Sequence, residues 1–468
     1  MLASRARMEP VVVLDVVGLT PRCLGESTPH LNGLRARAPM TTVLPAVTCS
    51  AQATMLTGLP PSRHGAVGNG WFARDTAEIA LWRQSNALVA GEKLYETVKR
   101  LDPGATTAKI FWWWNLGARV DYSITPRPFY PADGRKIPAT YAWPTGYGEW
   151  LDAELGPFPF FDFWGPKSGL PSSRWIADAT IRTLREKRPT LTLAYLPHLD
   201  YDFQRFGPDD ARSRRAIGEI DGVVGDVLHA ASAVGARVVV VSEYGITAVE
   251  RPVHVNRRLR DAGLLVARKT PAGDVLDVFG SRAFAVADHQ VAHVYCRDER
   301  AKSEAREILR ALPGVECVLE GAELARAGLD HPHSGDLVLV AARDAWFTYY
   351  YWSDPADEPD FARSVDIHRK PGYDPCELFL DPAIAFPKLR VARRLAQKKL
   401  GMRYLLDVIP LDATLVKGSH GRIPDHVADG PMFLCSEPFA RCGGEPGGGI
   451  VDMASVPMRV LALLQSRS

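Results

Sequence analysis

The sequence predicts an α/β fold, a mostly parallel central sheet flanked by helices with cap segments inserted over it. Short β-branched runs alternate with helical stretches along much of the chain, the order a doubly covered parallel sheet requires. Three of those runs, Val11 to Leu14, Leu191 to Leu196 and Val238 to Val241, read as buried strands, apolar apart from Thr192. Each ends directly in polar residues: Asp15, then His198 and Asp200, then Ser242 and Glu243. Open parallel sheets gather ligands at the carboxyl ends of their strands, so three polar endings together mark a site.

The chain has 468 residues, long for one compact domain, and reads as a core with inserted segments. Residues 1–101 form the N-terminal part of the core, with a helix from Ser50 to Leu56. Residues 102–175 form an insertion rich in Trp, Tyr, Phe, Pro and Gly (FWWWNLG, YAWPTGYGEW). Such aromatic content predicts order, as a pocket wall or as a packed flap. Residues 176–247 return to the core, with a helix from Ala211 to Ala230. Residues 248–345 read as a smaller α+β unit with a helix near 301–311, 346–400 as a loop-rich insertion, and 401–468 as the last part of the core.

Composition narrows the function. Lys plus Arg is 56 and Asp plus Glu is 54, a formal net charge of +2. This balance predicts no nucleic-acid polymer and no membrane as partner; an anionic small molecule would be held by a local site. The apolar run after the basic start is cut by Asp15, shorter than a secretory core segment. Seven scattered cysteines without CxxC or zinc-knuckle spacing complete an expectation of a cytoplasmic protein with reduced thiols. The sequence leaves the oligomeric state open.

Asp15 follows a buried strand, where a carboxylate can reach a cation above the sheet edge or simply cap the chain. Thr48 follows a Pro-containing turn and opens a helix. Its hydroxyl is there either as an N-cap or as a nucleophile beside phosphate oxygens favoured by the helix N-terminus. The segments VVLD15 with Gly18, TPHLNGL, LPAVT48 and TGLPPSRHG with Asn69 resemble the opening of nucleotide pyrophosphatase/phosphodiesterases and phosphonoacetate hydrolases, in the alkaline phosphatase superfamily. That resemblance implies an alkaline phosphatase-like core, Asp15 as metal ligand, Thr48 as nucleophile and metal ligand, and Asn69 as donor to phosphoryl oxygens. It continues through LPHLD200YDFQ204RFGP, SE243Y244GI and GSH420G, covering roughly 10–100, 190–247 and 405–436. It implies a metal site of Asp200, Glu243 and His420, fed by one or two divalent ions, zinc in the family.

This sequence departs from the family at three ligand positions. Gln204 stands where the family has His, and Glu243-Tyr244 where it has Asp-His. The surviving set, with Gln204 and Tyr244 counted as ligands, is rich in oxygen and shifts preference from zinc toward Mn or Fe. Replacement ligands are available. His198 and Asp202 flank Asp200 at alternate positions, on one face if the segment is extended. Asp366 and His368 form an Asp-x-His pair in the second insertion, which would bring His368 to the metal and Arg369 to the substrate phosphate. The other reading leaves His368 as a surface residue. His64 reads as a turn residue, His331 and His333 as solvated, and His254, His289, His293 and His426 as structural.

The sequence thus predicts a metal-dependent hydrolase of phosphate diesters, pyrophosphates or phosphonates acting on a small phosphorylated substrate through Thr48. The alternative is a diverged member that binds a phosphorylated metabolite or a partner without hydrolysis. A metal-dependent phosphomutase ranks third.

Overall fold

Strand Val11–Val16 is buried along its whole length because a parallel strand pairs with it on either side, Leu191–Leu196 and Arg237–Val241. Register is tight: Asp15 lies opposite Tyr195 on one side and Val241 on the other. The three strands therefore end level, and the residues after them emerge at one edge. The computed structural model describes residues 8–132, 136–402, 404–444 and 449–466. The basic start at residues 1–7 lies outside these.

The full sheet has eight strands in the order Ala36–Pro39, Met432–Cys435, Arg237–Val241, Val11–Val16, Leu191–Leu196, Thr107–Ile110, Tyr122–Pro126, Thr140–Trp143. The middle five run parallel, and the pairings outside them are antiparallel. Alternate residues feed two cores. Val11, Val13, Leu191 and Val239 pack against helices Thr48–Thr57, Leu94–Leu101 and Val456–Gln465 on one face. Val12, Leu14, Leu196 and Val240 pack against helices Leu170–Lys187 and Ala211–Ala233 on the other. Apolar residues at every position of a strand are what two covered faces demand.

The aromatic segment 102–175 supplies three of the eight strands, so it is part of the sheet as well as a wall. Its strands are four or five residues long and separated by Trp, Pro and Gly, which hides their periodicity. In residues 248–345 a four-stranded antiparallel sheet, ordered Ala283–Asp288, Val291–Cys296, Leu337–Ala341, Val315–Leu319, carries helix Glu299–Arg310. The second insertion is fastened by a buried network: Lys370 Nζ lies 2.7 Å from Asp374 and 2.8 Å from Glu377. Among the described residues no helix is long and apolar enough to cross a membrane. The cysteines are all free thiols.

Candidate active site

Thr48 opens the ten-residue helix Thr48–Thr57, directly after extended Val47. The helix stops at Gly58, which takes the left-handed conformation (φ +71°) and returns its N–H to Thr54 O. Thr48 to Leu56 are all buried, so this helix runs inside the molecule with its first residue at the sheet edge. The Thr48 hydroxyl donates to Glu243 Oε2 at 2.8 Å and lies 3.3 Å from the Tyr244 hydroxyl. Glu243 and Tyr244 leave strand Arg237–Val241, and Gly245 follows because the chain there lies against the Asp429 carbonyl. A Cβ on Gly245 would sit 1.8 Å from that oxygen.

Four carboxyl groups are buried around this point: Asp15, Asp200, Glu243 and Asp288. Among the described residues none of them is paired to Lys or Arg; each instead receives a neutral carboxamide. Gln52 Nε2 donates to both Asp15 Oδ2 (3.1 Å) and Glu243 Oε1 (2.6 Å). Gln204 Nε2 donates to Asp200 Oδ2 at 2.7 Å, and Asn69 Nδ2 to Asp288 Oδ1 at 3.0 Å. The amide orientations are set from behind. The Trp113 N–H donates to Gln52 Oε1 at 2.5 Å, the Tyr373 hydroxyl to Gln204 Oε1 at 2.9 Å, and the Cys49 N–H to Asn69 Oδ1 at 3.0 Å. A flipped amide would aim its NH₂ at another donor.

Neutral donors leave the acids hard to ionise. Burial, then the neighbouring Glu243 charge, holds Asp15 well above the usual carboxylate range. Burial raises Glu243 and Asp288 as well. Asp200 is pushed up to about 7, by burial first and by Glu243 second. Burial keeps the His289 and His420 imidazoles neutral. Those two rings stand in a column between two tyrosines: Tyr244–His420 at 3.5 Å, His420–His289 at 3.7 Å and His289–Tyr373 at 3.6 Å between centroids.

Thr48, Asp200, Tyr244, His289 and Tyr373 line one end of a cavity of 580 Å³. Its walls are aromatic, including Trp82, Trp113, Phe160 and Trp164, and Arg83, Arg127, Lys136, His368 and Arg369 also line it.

The structure thus brings Asp15, Thr48, Asp200, Gln204, Glu243, Tyr244 and His420 together. Asn69 stands behind them, its amide engaged by Asp288 and Cys49. His368 and Arg369 reach the cavity wall, and Arg369 Nε lies 2.6 Å from Asp366. The extended-segment reading of 198–202 does not hold: His198–Phe206 is a helix. His198 turns to Glu219 and Asp202 to Arg205, so neither shares the face of Asp200. His331 and His333 are also not simply solvated; His333 stacks on Trp71 at 4.6 Å and pairs with Gly65 O.

Gln52, Asp288, His289 and Tyr373 were not singled out by the sequence. Gln52 carried one signal, its place one helical turn after Thr48 and so on the same face. Asp288 and His289 sit at the tip of the hairpin joining Ala283–Asp288 to Val291–Cys296, with His289 in the left-handed region at φ +60°. Glycine is the usual residue for such a turn position, and a non-glycine there costs about 1 kcal/mol or more. The signal was a two-residue His-Gln turn between two alternating apolar runs.

Among the described residues no group of three or more His, Cys, Asp or Glu side chains is arranged to hold a metal ion. The donor set fits one ion better than two. His420 Nδ1 faces the Ala46 carbonyl at 2.8 Å, which leaves the lone pair on Nε2, buried, without a partner and 3.7 Å from Asp200 Oδ1. A ring fixed through one nitrogen with the other bare is how an imidazole ligand is presented. Asp15 Oδ2 and Glu243 Oε1 share the Gln52 amide while Asp15 Oδ1 is buried without a partner, so a second ion there would have to displace that amide.

The family model for type I phosphodiesterase / nucleotide pyrophosphatase matches residues 11–374. Comparison with curated protein sequences finds no significant match. Among solved structures the fold is similar to phosphonoacetate hydrolase from Sinorhizobium meliloti 1021 in complex with phosphonoformate (16% identity, TM-score 0.61). It is also similar to human ectonucleotide pyrophosphatase/phosphodiesterase 5 (14%, TM-score 0.59) and to the inactive murine protein in complex with AMP (14%, TM-score 0.58). In each case 98% of this chain aligns with 96% of the other. The level strand ends, Thr48 at the helix start and a family match over most of the chain lead to one conclusion: this protein belongs to the type I phosphodiesterase/nucleotide pyrophosphatase family, within the alkaline phosphatase superfamily.

Proposed function

We propose that the protein hydrolyses a phosphate diester, a pyrophosphate or a phosphonate, with Thr48 as the nucleophile. The observation that carries this is the Thr48 hydroxyl at the cavity end, 2.8 Å from a carboxyl oxygen able to take its proton. Glu243 accepts that proton as Thr48 Oγ1 attacks phosphorus. The Oγ1–P bond forms as the bond to the leaving group breaks, and the leaving atom takes its proton from water in the cavity. Water then cleaves the phospho-Thr48 ester. The positive end of helix Thr48–Thr57 favours the phosphoryl oxygens throughout. Asn69 fixes the start of that helix through Cys49, and Arg369 offers charge to a second anionic group.

Divalent-ion dependence is part of the proposal in single-ion form. Asp200 and His420 would hold the ion, and it would supply positive charge for the phosphoryl oxygens; zinc, Mn and Fe all suit this mixed pair. The small-molecule ligands of the similar structures, phosphonoformate and AMP, support an anionic substrate of modest size. Cavity walls rich in Trp suit one with a flat or apolar portion.

A second reading, binding without turnover, is favoured by one observation: Tyr244 stands at the family's His position, and the Gln52 amide, hydrogen-bonded to both Asp15 and Glu243, engages oxygens that a second cation would need. The test is turnover of bis(p-nitrophenyl) phosphate, p-nitrophenyl phosphate and phosphonoacetate with Mn, Zn or Mg, for the parent and Thr48→Ala. The proposal expects turnover by the parent and none by the variant, which should stay folded with a midpoint lowered only by the lost Thr48–Glu243 bond, about 1–3 kcal/mol. A variant as active as the parent removes Thr48 as nucleophile. Tight binding of these compounds without turnover by the parent, with every ion, supports the second reading.

A further inference from the structure

The near-zero net charge of the chain conceals one strongly basic segment. Residues 386–405 contain seven Lys and Arg and no Asp or Glu, so the rest of the chain is net acidic. The segment centres on helix Pro387–Lys399. Most helices at a protein surface turn their large apolar side chains inward; this one turns several outward. Leu389 is 67% exposed and Leu400 76%, with Phe386 and Met402 exposed beside them. Leu389, Ala392, Ala396 and Leu400 recur at spacings of three and four residues and form one stripe along the solvent side. Lys388, Arg393 and Lys399, all exposed, flank it. The opposite side is already occupied: Val391 packs against the core, and Arg394 Nε lies 3.0 Å from Asp407.

We propose that this helix docks the protein on an anionic phospholipid surface, lying in the plane of the headgroups. The apolar stripe would enter the acyl boundary while the flanking Lys and Arg meet lipid phosphates, the arrangement of an interfacial amphipathic helix. Charge complementarity selects the anionic surface, and the leucine stripe selects lipid over nucleic acid, which Lys and Arg alone would satisfy. The helix has 13 residues and lies on the surface rather than crossing it.

The test is co-sedimentation of the full-length protein with vesicles of phosphatidylcholine alone and of phosphatidylcholine with about one-third phosphatidylglycerol, at low and high salt. The parent is expected to bind the anionic vesicles, less so in high salt, and not the neutral ones. Leu389→Ser with Leu400→Ser should lower partition about tenfold or more, as should Arg393→Glu with Lys399→Glu. All four side chains are exposed, so circular dichroism and the urea midpoint should not change. Equal binding to both vesicle types, or full binding by the leucine variant, overturns the proposal. So does failure to bind vesicles alongside binding to an acidic polypeptide that ignores the leucine changes; that result assigns the helix to an acidic macromolecule.

Discussion

Replacing Gln52 by Leu tests the arrangement of amides and acids directly. The substitution leaves an apolar side chain one bond shorter and removes three buried hydrogen bonds, from Trp113 N–H, to Asp15 and to Glu243. Gln52, Asp15 and Glu243 have no solvent exposure, so no water replaces the lost partners. An unsatisfied buried N–H costs about 1–3 kcal/mol, and each carboxyl loses a bond of similar or greater worth. The two acids can share a proton and recover part of this, which leaves a net destabilisation of about 3–6 kcal/mol. That is a large share of the 5–15 kcal/mol typical of a domain. Urea unfolding followed by tryptophan fluorescence reads it as a lower midpoint at unchanged slope. Gln52→Glu sharpens the test by gathering three carboxylates. It should be unstable at neutral pH in chelator and regain its midpoint with Mn or Mg, while the parent's response is confined to one ion per chain. A loss below about 1 kcal/mol for Gln52→Leu, or two ions bound per parent chain, would refute the idea that this amide stands in for a cation.

Two further perturbations follow from the buried charges. Asp200 is raised from the ordinary carboxylate value to about 7, so between those values the folded chain holds a proton that the unfolded chain releases. The resulting stability is complete below about pH 4 and is lost as pH rises toward 7, roughly 2–4 kcal/mol in chelator. Asp200→Asn should flatten that slope in urea midpoints taken across the range; an unchanged slope would place the proton elsewhere. Lys370 is buried between Asp374 and Glu377. Lys370→Met should cost about 3–5 kcal/mol by leaving two acids uncompensated. Adding Asp374→Asn and Glu377→Gln should restore much of it, and no restoration would mean the cost is packing.

The sheet was legible because its central strands are buried on both faces and so read as nearly continuous apolar runs, broken only at Asp15, Thr192 and Arg237. Val11–Val16, Leu191–Leu196 and Arg237–Val241 needed no tertiary information. The stretch after Leu196 misled because LDYDF alternates apolar and acidic residues as a strand would. A helix forms there because Leu199 and Phe203, four apart, both reach the core, and the helical period then carries His198 and Asp202 away from Asp200. The tip of the hairpin at Asp288 and His289 reaches Asn69 across 219 residues of sequence, a distance over which no local pattern speaks.

The three departures from the family pattern read, in sequence, as separate losses. In space they form one substitution. Glu243, one methylene longer than Asp, meets both the Thr48 hydroxyl and the Gln52 amide. Tyr244 lays its ring on His420 and its hydroxyl 3.3 Å from Asp200. Gln204 donates to that same carboxyl under the hold of Tyr373. Cations would stabilise four buried carboxyl groups by charge; here amides and a phenol do so by hydrogen bonding, against the burial that raises each of them. Such bonds can hold the site together without a cation, so the single ion proposed for Asp200 and His420 would serve the substrate rather than the fold.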